Sequence, residues 1–219
     1  MASPTPTDTD KRDLIRAAAF SLMMERGFSR TSYTDIARVS DCTRALVQYY
    51  FPKKDQLMVD FMQRALELGE QYACDHGLKT GSCFIDFYTT GYIHFSFLLR
   101  NAELLPLTRD MIATRDHSAV AIAEMTAWQR RYPELDGLDD ETITDAVLLS
   151  VGGAYELIHH HLKQGRAIDI PRLLERTIHT FIVDLGLDPS EFAARHGQHL
   201  LDEKTLASAN AYLREHIIA

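Results

Sequence analysis

The stretch from Thr31 to Lys54, Thr-Ser-Tyr-Thr-Asp-Ile-Ala-Arg-Val-Ser-Asp-Cys-Thr-Arg-Ala-Leu-Val-Gln-Tyr-Tyr-Phe-Pro-Lys-Lys, constrains this chain most. It holds two short helical patterns three residues apart. Ser32 followed by Asp35 reads as a capping box: the hydroxyl takes a free backbone N–H and the carboxylate reaches back. Ile36, Ala37 and Val39 are expected to face inward from the first helix. Ser40-Asp41-Cys42 reads as a turn, since Asp tolerates the left-handed backbone that a tight turn often needs. Thr43 is a good N-cap for the second helix. There Leu46, Val47 and Tyr50 face inward, and Arg44, Ala45, Gln48 and Tyr49 are left outside. Two helices joined by so short a turn form a helix-turn-helix, whose second helix enters the major groove.

The charge distribution agrees with a phosphate partner for this stretch. The whole chain carries −8. Residues 11–54, however, hold nine Lys/Arg against four Asp/Glu, a net of +5. Asp8 and Asp10 contribute −2, which leaves −11 for residues 55–219. A basic head on an acidic body is the asymmetry expected when one small domain meets nucleic acid.

The remaining pattern is helical throughout, with no strand alternation. Residues 1–9 form a Pro/Thr tail expected to be disordered. A helix is expected from about Asp10 to Arg26, with Leu14, Ala17, Ala18, Phe20, Leu22 and Met24 as its apolar positions and Gly27 ending it. Pro52 breaks the chain, and a long helix from Lys54 to about His76 has apolar residues on more than one side. Further helices are expected over Cys83–Arg100, Leu107–Ala113 after an interruption at Pro106, Asp116–Arg131, Asp140–Gln164 and Pro171 to about Gly186. A short one starts at Pro189, and a last one spans Asp202–His216. The fold class is therefore all-α: a three-helix head over residues 10–54, with its helix-turn-helix at about 32–51, joined by a long helix to a helical body over 55–219. No run of 18 apolar residues offers a membrane span. The polar N-terminus shows no signal segment, so a cytoplasmic protein is expected. Cys42, Cys74 and Cys83 are too irregular for a disulfide framework or a zinc site.

Residues 13–57 resemble the N-terminal domain of the TetR family of transcriptional regulators. The resemblance rests on Ile15, Ala17-Ala18, Glu25-Arg26-Gly27-Phe28, Thr31, Asp35-Ile36-Ala37, Thr43-Arg44, Tyr50-Phe51, Lys54 and Leu57, in order and without a gap. Three positions depart from the family's usual pattern: Asp41 replaces a turn Gly, Gln48 a Tyr, and Lys53 a Ser or Thr cap. They bear on operator preference and leave the motif intact. The resemblance implies a ligand-responsive DNA-binding regulator, expected to be a repressor. Arg44 and Gln48 would read base edges, because Arg pairs bidentately with guanine and Gln with adenine. Thr31, Ser32, Tyr33, Thr43, Ala45, Tyr49 and Lys54 would complete the DNA contacts, mostly at phosphates.

In the body, two apolar stripes on residues 140–164 and one on the next helix suggest a subunit interface. The first stripe holds Ile143, Val147, Val151, Tyr155, Ile158 and Leu162. The second holds Ala146, Leu149, Gly153, Leu157 and His160. By resemblance these two helices pair with their mates as a four-helix bundle, with Val147, Val151, Gly153, Ile158, Leu162, Leu174, Ile178, Phe181 and Ile182 at the interface of a homodimer on a palindromic operator. Met62, Tyr88, Tyr92, Phe95, Met125, Trp128, Tyr155 and His159 are the candidates for an effector site, aromatic or apolar bodies with a few polar tips. His94 adds another such tip. His159-His160-His161 is not a metal site, because successive helix residues point about 100° apart. No cofactor and no metal are expected. The absence of a Gly-rich phosphate loop or a nucleophile motif argues against an enzyme. A regulator controlled by a protein partner instead of a small molecule is the alternative.

Overall fold

The structure is a computed structural model that describes residues 8–113, 122, 126, 127 and 129–218. Among them the chain is helical, with no strand. The helices are α1 (Asp8–Arg26), α2 (Tyr33–Val39), α3 (Arg44–Tyr50), α4 (Asp55–Asp75), α5 (Cys83–Arg100), α6 (Leu105–Ala113), α7 (Asp140–Lys163), α8 (Ile170–Asp184), α9 (Ser190–Arg195) and α10 (Glu203–His216). Most of the expected tail, and most of the helix expected over Asp116–Arg131, lie outside the described residues. Helix α1 begins at Asp8, inside the expected tail. Pro106 lies in the first turn of α6 and does not interrupt it. A proline is tolerated there because first-turn N–H groups have no helical partner.

Helix α1 buries Ile15, Ala18, Ala19, Phe20, Leu22 and Met23. Leu14, expected among its apolar positions, is half exposed, as is Val39 on α2. Phe20 meets Phe61 of α4 edge-to-face, with ring centroids 5.2 Å apart. Such a pair adds about 0.5–1.5 kcal/mol beyond its buried area and ties α1 to α4. The apolar core of the head continues through Met58, Phe61, Met62 and Ala65 of α4 to Leu104, Leu107 and Met111 at α6 and Ala209 and Leu213 of α10.

Helix α5 is the axis of the body: fifteen of its eighteen residues are buried, so neighbours surround it. Its start is held by Asp86, a buried carboxylate that accepts from Thr80 N at 2.6 Å, Gly81 N at 3.2 Å and Tyr132 Oη at 3.0 Å. Four partners for one carboxylate, counting the Thr80 hydroxyl, offset the cost of removing its charge from water. Helices α7 and α8 form an antiparallel hairpin, each capped at its start by an aspartate, Asp139 and Asp169. They close on α5 through Ile143, Val147, Val151, Ile158, Leu174, Ile178, Phe181 and Ile182.

That packing corrects the expected interface. Val147, Val151, Ile158, Leu174, Ile178, Phe181 and Ile182 are at most 3% exposed within one chain, so they have no surface to offer a second copy. The stripe of Leu149, Gly153, Leu157 and His160 is the one left outside, with Leu148 beside it and Val183 on α8. Leu162 is half-buried.

Candidate nucleic-acid interface and body cavity

Helices α2 and α3 start where their caps stop unwinding. The Ser32 hydroxyl accepts from Asp35 N at 3.2 Å, and Asp35 Oδ2 accepts from Ser32 N at 3.2 Å, so both halves of the capping box are made. The Ser32 hydroxyl also holds the Asp35 carboxyl below the ordinary carboxylate range, with Arg26 at 3.0 Å adding to the effect. The turn needs one left-handed residue, and Asp41 supplies it at φ +52°. A β-branched residue could not adopt that backbone without strain. Thr43 then caps α3 by accepting from Leu46 N at 3.2 Å. Val47 is fully buried, which fixes the roll of α3. Arg44, Ala45, Gln48 and Tyr49 are thereby exposed, and Tyr49 keeps 71% of its surface.

Three residues expected at phosphates are turned to partners inside the head. The Thr31 hydroxyl is buried and donates to the Gly27 carbonyl at 2.9 Å. Tyr33 Oη donates to the Phe51 carbonyl at 2.7 Å. Lys54 Nζ donates to the Phe28 carbonyl at 2.6 Å and sits 4.1 Å from the Phe28 ring centroid. Each donates to a carbonyl just past a helix end, Gly27 and Phe28 after α1 and Phe51 after α3. Ser32 and Thr43 remain exposed, as Arg44 does. Lys53 and Arg38, not among the expected DNA contacts, are also exposed. Their signal was present in the basic count of the head and was not resolved by residue.

A cavity of about 170 Å³ opens in the body among α4, α5, α7 and α8. Leu66, Phe87, Gly91, Phe95, Val151, Ala154, Tyr155 and Leu174 form its apolar wall, and Gln63, Glu67, Glu70 and Arg131 its polar side. Of the residues expected to line a site, Phe95 and Tyr155 do so, with ring centroids 6.0 Å apart. Met62, Tyr88, Tyr92 and His159 do not. Met62 is spent in the core between α4 and the head, and Tyr88 packs against Tyr92, Phe192 and His196 on another side of α5. Met125 and Trp128 lie outside the described residues. Thr90 and His94 line the cavity. Burial pushes the His94 imidazole down to about 4, so it is neutral at neutral pH.

An exposed, capped helix carrying Arg, Gln and Tyr on a basic three-helix head defines a helix-turn-helix DNA-binding transcriptional regulator. Residues 15–60 match the family described as bacterial regulatory proteins, tetR family, and the chain carries that family's DNA-binding head. No curated protein matches the chain. Among the described residues no helix is long and apolar enough to cross a membrane.

Proposed function

We propose that this chain is a homodimeric repressor that binds a palindromic operator and is released by a small, largely apolar or aromatic effector in the body cavity. The outward set on α3 carries the DNA part: Arg44 and Gln48 reach base edges, and Thr43, Ser32, Ala45 and Tyr49 flank them at the backbone. Thr31, Tyr33 and Lys54 serve by holding the head in shape. The cavity supports the effector part, because mostly apolar walls with a few polar groups characterise small-molecule sites.

The outer face of α7 and α8 supports the dimer. Gly152 and Gly153 sit in mid-helix, where each costs roughly 1 kcal/mol relative to Ala. A Cβ on either would meet nothing within 4 Å, so packing inside one chain does not require them. Exposed Leu148, Leu149, Leu157 and Val183 surround that thin spot, and a helix of a second copy crossing there uses both features. A second copy also supplies the second half-site that a short recognition helix needs.

Selection of bound duplexes from a random pool tests the proposal. The expected product is an inverted repeat, and Arg44→Ala or Gln48→Ala lowers its affinity about 5–150-fold while relaxing one base position. A pool that yields no enriched sequence removes the operator from the proposal. Sedimentation of the unmodified protein is expected to give a dimer and Leu149→Arg a monomer; a monomer in both removes the α7–α8 face.

A further inference from the structure

Helix α5 carries polar groups whose partners are missing. Thr90 Oγ1 and both His94 ring nitrogens are buried and make no hydrogen bond among the described residues. The two residues are 7% and 2% exposed, lie four apart on one helix face, and both line the body cavity. Leaving such groups unpaired is unfavourable, because a buried donor or acceptor has lost water without replacement.

The threonine is the sharper signal. Helical threonines commonly satisfy themselves by donating to the carbonyl four residues back. Thr108, Thr126 and Thr177 do so here, at 2.8, 2.9 and 2.8 Å. Thr177 lines the same cavity with its hydroxyl already engaged. Thr90 is not. Thr89 Oγ1 and Ser96 Oγ are also unpartnered, but neither lines the cavity.

We propose that Thr90 and His94 are the polar anchor of the cavity and select a neutral, ring-bearing molecule with one hydroxyl group. This rests on the effector reading of the cavity. A neutral imidazole offers one N–H donor and one acceptor nitrogen, and the Thr hydroxyl offers both roles. One ligand hydroxyl can accept from one of them and donate to the other, giving the Thr90 hydroxyl and one His94 ring nitrogen a partner at once. The rings of Phe87, Phe95 and Tyr155 suit an apolar body with a planar face. Charge is disfavoured on either sign. The anchor holds no cation for an anionic group, and on the polar side of the cavity Arg131 stands with Glu67 and Glu70, its guanidinium 3.4 Å from Glu70. The anchor holds no carboxylate for a cationic group, and Glu70 is already paired with Lys79 at 3.8 Å and Arg131 at 3.4 Å.

Three bicyclic probes of one shape test this on the full chain by calorimetry at neutral pH: naphthalene, 2-naphthol and 2-naphthoate. The expected order is 2-naphthol first, about tenfold or more tighter than naphthalene, with 2-naphthoate weakest. Thr90→Val keeps the shape and removes the hydroxyl; it brings the naphthol-to-naphthalene ratio toward one. His94→Phe does the same, and if that variant fails to fold, Thr90→Val alone decides. Equal affinities in the unmodified protein overturn the anchor. So do a ratio that survives Thr90→Val, tightest binding by 2-naphthoate, or no binding by any of the three. Operator affinity with 2-naphthol at saturation is a separate readout. Tight, Thr90-dependent binding with unchanged operator affinity keeps the anchor and sinks the effector reading for that compound.

Discussion

At the scale of single residues, burial lowers the pKa of two cationic side chains, His94 and Lys54. His94 is held neutral by burial, down at about 4 from an ordinary 6.5, while the unfolded chain protonates it near its ordinary value. Between these pH values the unfolded state binds more protons, so stability rises with pH across that window. His94 therefore withdraws stability as pH falls from about 6.5 toward about 4, and its effect levels off below that. The full swing is about 3 kcal/mol. Urea unfolding at several pH values, compared with His94→Phe, reads it as a steeper acid loss in the unmodified protein; parallel curves would assign the slope elsewhere. Lys54 is the second of them. Its ammonium is spent on the Phe28 carbonyl and ring, and burial holds its pKa below the ordinary value. Lys54→Ala is expected to lower the Tm by several degrees, as about 1 kcal/mol does in a domain of this size, and to leave the salt slope of DNA binding unchanged. Lys53→Ala, at an exposed position next to it, is expected to lower that slope by about one without changing the Tm. Gel shifts over a salt series and melting curves on both variants distinguish the two roles, and a slope that falls only for Lys54→Ala reverses them.

At the scale of elements, local signals were legible and pairwise packing was not. The Ser32–Asp35 box, the Asp41 turn and the Thr43 cap are local, and they stand where their side chains predict. The spacing of Phe84, Tyr88, Tyr92, Phe95 and Leu99 places a helix over Cys83–Arg100, and α5 has those ends. Helix α7 is different, because apolar residues cover two of its sides. Which side becomes core depends on α5 and α8, whose contacts are not local in sequence, so Val147, Val151 and Ile158, expected at a partner, are closed inside, while Gly153 of the same expectation is exposed. The cavity was illegible for the same reason: its lining runs from Gln63 to Thr177 across four helices. Gly91 shows how closely two of them meet. A Cβ there would lie 2.8 Å from Leu174 Cδ2 on α8, in the wall of the cavity. Gly91→Ala gains helix propensity worth roughly 1 kcal/mol but displaces the Leu174 side chain. The chain is expected to keep its fold and lose affinity for any cavity ligand. A variant that binds 2-naphthol as the unmodified protein does would show that Leu174 yields away from the cavity.

At the scale of the whole molecule, the head shares an apolar core with α4, α6, α10 and one side of α5, and that bears on how a bound effector could reach DNA. Helix α4 begins just past the recognition helix and gives Phe61 and Met62 to the shared core, while Gln63 and Leu66 reach the cavity. A second connection runs through α6. Asp110 accepts from Ser29 N at 2.8 Å in the head, and Thr108 Oγ1 donates to the Leu98 carbonyl of α5 at 3.0 Å. The end of α5 beyond the cavity is thus tied through α6 to the loop before α2. An effector changes operator binding only by its differential affinity for two arrangements of the heads, typically about 1–3 kcal/mol, a factor of roughly 5 to 150. Linkage makes the factor reciprocal: operator DNA weakens a releasing effector as much as the effector weakens operator binding. Calorimetry of an effector with and without operator is expected to show that factor, and Asp110→Ala to reduce it while leaving effector affinity for the free protein unchanged. If Asp110→Ala keeps the full factor, the coupling runs through α4 alone. If a compound that occupies the cavity binds equally with and without operator, it is a passenger and carries no signal to the heads.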